Sequence, residues 1–376
     1  MQLSFRWYGE ADPVTLEAIR QVPGVTGVVS ALHDVPPGEA WTEDAVRVLR
    51  ERVEDAGLTV SCIESIPVPE GIKLGADDRG ALVDNWCRSV EAVGRALGGG
   101  AAPPVVCYNF MPVFDWTRTD LARPLPDGSE ALAYVEGELS AVEEALASGG
   151  LPGWMDAHSP DALRRLFAAY EAVEPERMWD HLGWFLERAV PAAEAAGVRL
   201  AIHPDDPPWP LFGLPRVVTS AEALGRVCDL VDSPSNGVTF CTGSLGADPG
   251  HVAGLPAAAA RLAERGRVHF AHLRNVARLP APPSGDGAGG AGRDFTETAH
   301  SPHVAGGGDV DLPGVVAALK RAGFDGPLRP DHGRQIWSER DDPAVRPGYG
   351  LYDRALGATY LRGLWDAATP PAPVDR

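Results

Sequence analysis

Short runs of β-branched and apolar residues alternate with longer stretches in which apolar positions recur at three and four, and this alternation persists along the whole chain. The runs predict strands over Leu3–Trp7, Thr26–Ser30, Thr59–Ser65 and Val105–Phe110, then Arg199–Pro204, Gly237–Gly243, Arg267–Asn275 and Pro327–Gly333. The stretches between them predict amphipathic helices, among them Glu43–Ala56, Asp78–Leu97, Ser220–Val231 and Leu312–Ala322, with Leu351–Trp365 closing the series. The punctuation agrees. Thr42 and Ser220 carry side-chain oxygens able to cap helix N-termini, and Gly57, Gly197, Gly266 and Gly323 follow helix ends.

Eight strand–helix units in strict alternation predict an α/β fold, a (β/α)8 barrel, as a single domain over residues 1–376. An open doubly wound sheet would usually carry a Gly-rich phosphate turn after its first strand; here that strand runs into Arg6-Trp7-Tyr8-Gly9-Glu10. Two segments break the rhythm. Residues 112–180 are too long for one loop and contain helical patterns at Glu138–Ala147 and Pro160–Ala172, so they are expected to form a helical, lid-like insertion over the C-terminal end of the fourth strand. Leu279–Arg293, rich in Gly, Pro and Ala, is expected to be a flexible loop after the seventh strand.

Composition adds mainly exclusions. A net charge of −19 removes nucleic acid and anionic membrane as expected partners, because both need a basic footprint, and leaves a small molecule. No apolar run approaches the ~18 residues that span a bilayer. Met1–Arg6 lacks the pattern of a secretory signal, and five cysteines without paired spacing point to a reducing cytoplasm. A homo-oligomer is compatible with these properties but not demanded by them.

The candidate chemistry lies in the second half. Four consecutive predicted strands end in His203, Cys241, His272 and Asp331, and in a closed barrel those ends converge on one rim. Singly, each has a bland explanation: a hydrogen-bonded histidine, a small buried cysteine, an aspartate at a turn. Jointly they predict a metal site. His269 is three residues from His272, so the strand period turns it to the opposite face, and His272, nearer the rim, is the expected ligand. Two imidazoles, one thiolate and one carboxylate suit Fe(II), Mn(II), Co(II) or Zn(II) better than Mg(II) or Ca(II). Asp205 and Asp206 are candidates to orient His203.

The same segments carry a resemblance. Phe5–Gly9 (FRWYG), Ile19–Ser30, Ile63–Gly75, Tyr108–Trp116 with Arg118, Ile202–Pro208 (IHPDDPP), Thr239–Ser244 (TFCTGS), His269–Asn275, Arg329–Arg334 (RPDHGR) and Arg346–Leu356 (RPGYGLYDRAL) resemble the mannonate dehydratase family, in order and over nearly the whole chain. The resemblance implies a xylose-isomerase-like barrel that removes water from D-mannonate to give 2-dehydro-3-deoxy-D-gluconate in hexuronate breakdown. It also implies Mn2+ or Fe2+ on His203, Cys241, His272 and Asp331, with His332 and Tyr349 as the acid–base groups. Thr296 departs from it, since the family commonly has His after that Phe, and the surrounding loop with His300 and His303 is atypical.

His332 follows a ligand on a strand, so it faces the same site only if the chain bends, which Gly333 permits. Tyr349 lies between Gly348 and Gly350, in a loop able to fold over the mouth. Arg118, Arg274 and Arg334 are candidates for the substrate carboxylate or hydroxyls, since a guanidinium fork matches a carboxylate. Arg6, Glu64 and Asn109, at the ends of strands one, three and four, are candidates for sugar hydroxyls. A metal-dependent isomerase or epimerase would carry more carboxylates and little thiolate; a non-catalytic sugar-acid sensor would need neither acid–base group.

Overall fold

A computed structural model describes residues 1–100, 102–142, 160–280, 292–301 and 307–368. The strands β1 (Gln2–Arg6), β2 (Gly27–Ser30), β3 (Thr59–Glu64) and β4 (Val105–Tyr108) come first, with helices between them. The chain then forms an antiparallel hairpin, β5 (Asp120–Pro124) and β6 (Glu130–Tyr134), and returns through helices Pro160–Tyr170 and Pro175–Ala196 to β7 (Arg199–Ile202). After β8 (Asn236–Cys241) and β9 (Val268–Leu273) it makes a second excursion, β10 (Asn275–Arg278) and β11 (Phe295–Thr298), before β12 (Pro327–Pro330).

Eight of these strands close into a parallel barrel in the order β1-β12-β9-β8-β7-β4-β3-β2, sealed by the pairing of Gln2 with Pro327. Each of the eight strands expected from the sequence is present. So are the caps: Thr42 accepts from the amide of Ala45 and Ser220 from that of Ala223, while Gly57, Gly197, Gly266 and Gly323 all adopt positive φ. The helix-facing side is packed by rows such as Leu182, Phe185 and Leu186, spaced at three and four and fully buried, each worth roughly 2 kcal/mol of apolar burial. Among the described residues no helix is long and apolar enough to cross a membrane.

The insertion differs from its expected helical form. Its helix does start at Pro160, but β5 and β6 join β10 and β11 in a four-stranded antiparallel sheet in the order β10-β11-β6-β5. The hairpin turns at Pro126-Asp127-Gly128-Ser129, where Gly128 takes φ +84° and the amide of Leu125 donates to Ser129 O. Proline, aspartate and glycine in that order are turn chemistry, and this signal in the sequence outranks the helical period on either side. Of the pattern at Glu138–Ala147, residues 139–142 are helical and the rest lie outside the described residues. The segment expected to be a flexible loop connects β10 to β11, and its positions 281–291 also lie outside them.

Inside the barrel the two-residue strand period sets the site. Cys62, Cys107, Ala201 and Phe270 belong to an apolar cluster that fills the interior. Two residues further along the same strands, and therefore on the same face, come Glu64, Asn109, His203 and His272. The apolar cluster is thus the floor of the polar rim, with the ring of Phe270 4.4 Å from that of His272. His269 is on the other face, buried, with its Nδ1 donating to Leu200 O, as the spacing requires.

Candidate active site and metal centre

The register of the barrel brings the predicted ligands together. Cys241 pairs directly with His272 across β8 and β9, and His272 pairs with Arg329 across β9 and β12. The donor atoms of His203, Cys241 and His272 lie within 4.8 Å of one another. Asp331 stands at the edge of this group, its Oδ2 3.7 Å from Cys241 Sγ and 4.0 Å from His272 Nδ1.

The nitrogens of the two histidines test whether a cation fits. His203 Nδ1 is 2.7 Å from the carbonyl of Pro204, which can only accept, so Nδ1 carries a proton and Nε2 is the nitrogen left to face a cation. That Nε2 faces His272 Nδ1 at 3.1 Å, while His272 Nε2 has no hydrogen-bond partner and looks toward Glu64 Oε1 at 3.5 Å. Two tetrahedral nitrogen ligands at the usual metal distance are ~3.4 Å apart. Burial disfavours a charged His203, but the neighbouring Cys241, Asp331 and Glu64 outweigh it and lift the pKa to about 9. Burial and the neighbouring Arg329 instead keep His272 neutral. The site therefore favours positive charge between its histidines, and its donor set fits a divalent metal ion.

Ser244 supports the Cys241 sulfur. Its hydroxyl is 3.0 Å and its amide 3.4 Å from Cys241 Sγ, where the chain turns from β8 into the short helix Thr242–Gly246. Asp205 and Asp206, expected to orient His203, do other work. Asp205 accepts from the amides of Val217 and Val218, and Asp206 pairs with Arg118 and Arg274.

His332 and Tyr349 meet in the cleft. The strand ends at Pro330, the amide of Gly333 bonds Gly348 O, and this bend turns both Asp331 and His332 inward. Gly348 at φ +80° lets the last loop fold back, placing the Tyr349 hydroxyl 2.8 Å from His332 Nε2. Burial pushes the Tyr349 phenol well above its ordinary pKa, so it stays a proton donor.

Of the remaining candidates, Arg6, Glu64 and Asn109 line the same cleft. Burial alone would raise the pKa of Glu64, but Arg329, His272 and Arg6 hold it at about 2. Arg118, Arg274 and Arg334 do not line it. Arg118 and Arg274 are fully buried against Asp206 and Glu297, and Arg334 ties Asp353 to Asp127, so their charges are already matched. Three groups were missed by sequence reasoning. Arg329 bridges Glu64 and Asp331 beneath the ligands, and its position two residues before Asp331 on one strand was the available signal. Glu297 contacts His332 Nδ1 at 2.8 Å, and Arg346 stands at the mouth over the ring of Tyr8. Thr296 turns away toward Leu132 O, His300 is buried, and His303 lies outside the described residues.

The D-mannonate dehydratase family model matches residues 1–372. The chain belongs to this family. As a D-mannonate dehydratase family member it is an enzyme of the hydro-lyase class, and its cleft is that of a lyase. A mannonate dehydratase of Streptococcus uberis is 45% identical over 372 residues, covering 99% of this chain and 100% of the relative. One of Streptococcus agalactiae is 46% identical over 367 residues, covering 98% of each. The crystal structure of mannonate dehydratase from Streptococcus suis serotype 2 superposes with a TM-score of 0.82 at 42% identity, covering 100% of this chain and 99% of that one. D-psicose 3-epimerase from Clostridium cellulolyticum, at 11% identity and a TM-score of 0.54 over 97% of this chain and 99% of that one, shares the barrel alone.

Proposed function

We propose that this enzyme removes water from D-mannonate to give 2-dehydro-3-deoxy-D-gluconate, with Mn2+ or Fe2+ held by His203, Cys241, His272 and Asp331. The observation that carries the reading is the convergence of a cation-seeking donor set and a hydrogen-bonded His332–Tyr349 pair on one cleft. The mixed donors favour a transition metal over Mg2+ or Ca2+. When bound, such an ion supplies Lewis acidity that eases the negative charge developing beside the substrate carboxylate.

The protein's own groups move the protons. His332 Nε2 takes the C2 proton on its lone pair; the C2–H electrons form the C2–C3 double bond as the C3–O bond breaks. The Tyr349 phenol gives its proton to the departing hydroxyl, which leaves as water. The hydrogen bond between the two returns the proton from His332 to Tyr349, and the enol rearranges to the 2-keto product. Arg6, Glu64 and Asn109, which line the cleft, would read the substrate hydroxyls. The unpaired cysteines fit work in a reducing cytoplasm.

The stereochemistry at C2 tests this. Anchoring through carboxylate and C2 hydroxyl points the C2 hydrogen toward His332 in only one epimer, so D-gluconate should bind without reacting. Side-by-side assays of 2-keto-3-deoxy acid formation from both epimers, with Mn2+ or Fe2+ under reducing conditions, decide it. Equal turnover, or turnover of gluconate alone, refutes the assignment.

A further inference from the structure

Glu297 belongs to the added sheet and not to the barrel, yet it reaches the proton-transfer pair. It is 1% exposed, and both its oxygens lie against His332 Nδ1, at 2.8 and 2.9 Å. Its direction follows from strand alternation. Thr296, paired with Ala133 of β6, sends its hydroxyl to Leu132 O, so the next residue must face the other way, into the barrel mouth. Two arginines fix it there: Arg118 donates to Oε1 through Nε and Nη2, and Arg274 through Nη1. Arg118 stands just before β5, so the same added sheet delivers the carboxylate and one of its clamps.

We propose that Glu297 is a positioning residue for the dehydration: it fixes the Nδ1–H form of His332 and thereby leaves Nε2 free as the proton acceptor. The inference rests on the reading of His332 and Tyr349 as the proton-transfer pair. An ionised carboxylate only accepts, so the ring nitrogen against it must carry the proton. Arg274 Nη1 crowds the same nitrogen, but it also is a donor, and Glu297 Oε1 is the acceptor that both share. With Nδ1 protonated, Nε2 can only accept, and it does so from the Tyr349 hydroxyl at 2.8 Å. The ring of Trp116, 5.1 Å from that of His332, packs against the imidazole. The imidazolium formed when His332 takes a proton would lie directly on the carboxylate, which lowers its cost.

The two single variants and their combination test this in the metal-loaded enzyme. Glu297→Asp keeps a negative charge between Arg118 and Arg274 but withdraws it from His332. It should lower kcat about 10- to 100-fold with KM and metal content unchanged. Combined with His332→Gln it should cost nothing further, because Glu297 acts only through that ring. Wild-type kcat in Glu297→Asp, a loss carried wholly by KM, or an equal further loss in the His332→Gln background overturns the proposal. If His332→Gln itself turns over normally, the proton-transfer reading fails and this inference with it; an inactive His332→Gln beside a normal Glu297→Asp sinks this inference alone. Should Glu297→Asp fail to fold or to hold metal, nitrogen NMR of the intact protein in its zinc form, with His332→Gln for assignment, reads the ring directly. A proton on Nδ1 of His332 supports the proposal, and one on Nε2 refutes it.

Discussion

His203 Nε2 and His272 Nδ1 face each other at 3.1 Å across the barrel mouth, His203 held from its far side by the Pro204 carbonyl and His272 looking toward Glu64. A proton shared between the two nitrogens satisfies that contact, and the donor set around them fits a metal ion in its place. Replacing His203 or Asp331 by alanine should therefore remove metal and activity together while the barrel stays folded, since the apolar floor lies a layer below. Metal analysis and circular dichroism on the purified variants check this; full metal occupancy in both would defeat the site assignment.

His332→Ala and Tyr349→Phe should keep one metal per chain yet lose turnover by roughly 10²-fold or more, as proton-transfer groups do. Steady-state kinetics beside metal content separates the two effects. Near-normal turnover in His332→Ala would return that residue to a structural role.

Ser244 donates to Cys241 Sγ from both hydroxyl and amide, and the hydroxyl bond is removable without touching the backbone. Ser244→Ala should weaken metal affinity by about 10- to 100-fold, the range expected when a ligand loses its supporting hydrogen bond. Competition with a chelator measures it, and an unchanged affinity would show the contact to be incidental.

Asp206 and Glu297 share two buried arginines. Burial alone would raise both carboxyl pKa values; Arg118 and Arg274 reverse this and hold them below the ordinary 3.8 and 4.5. Lowered folded-state values mean stability that is fully present above about pH 4.5 and is lost as the pH falls through the folded values. Removing Arg118 lets those values rise, so Arg118→Met should lose stability at neutral pH, by about 3–5 kcal/mol, and unfold at a higher pH on acidification. Thermal midpoints from pH 7 to pH 3 compare the two proteins. A variant that matches the wild type throughout would show that the arginine matters little.

Arg334, by contrast, is committed to Asp353 and Asp127 outside the cleft. Arg334→Ala should lower the thermal midpoint and leave KM for the substrate unchanged. A rise in KM without loss of stability would restore it as a binding residue.

The chain determined by itself those features that depend on period and position within one strand. Eight apolar runs separated by capped helices define the barrel, because a two-residue period and a 3.6-residue period are local properties. The same period places His203, His272 and Asp331 inward at strand ends, and with Cys241 they form a group whose types name its chemistry. What only the tertiary structure decided are partnerships across distant segments. The second sheet pairs β6 with β11, more than 150 positions apart, and no local pattern announces such a ladder. That ladder carries Glu297 to His332 and claims Arg118 and Arg274 as its clamps, so two arginines that read as substrate ligands in sequence become the buried supports of a carboxylate. A guanidinium reads the same in sequence whether it meets substrate or a carboxylate from another strand; burial and the counter-charge beside it settle which.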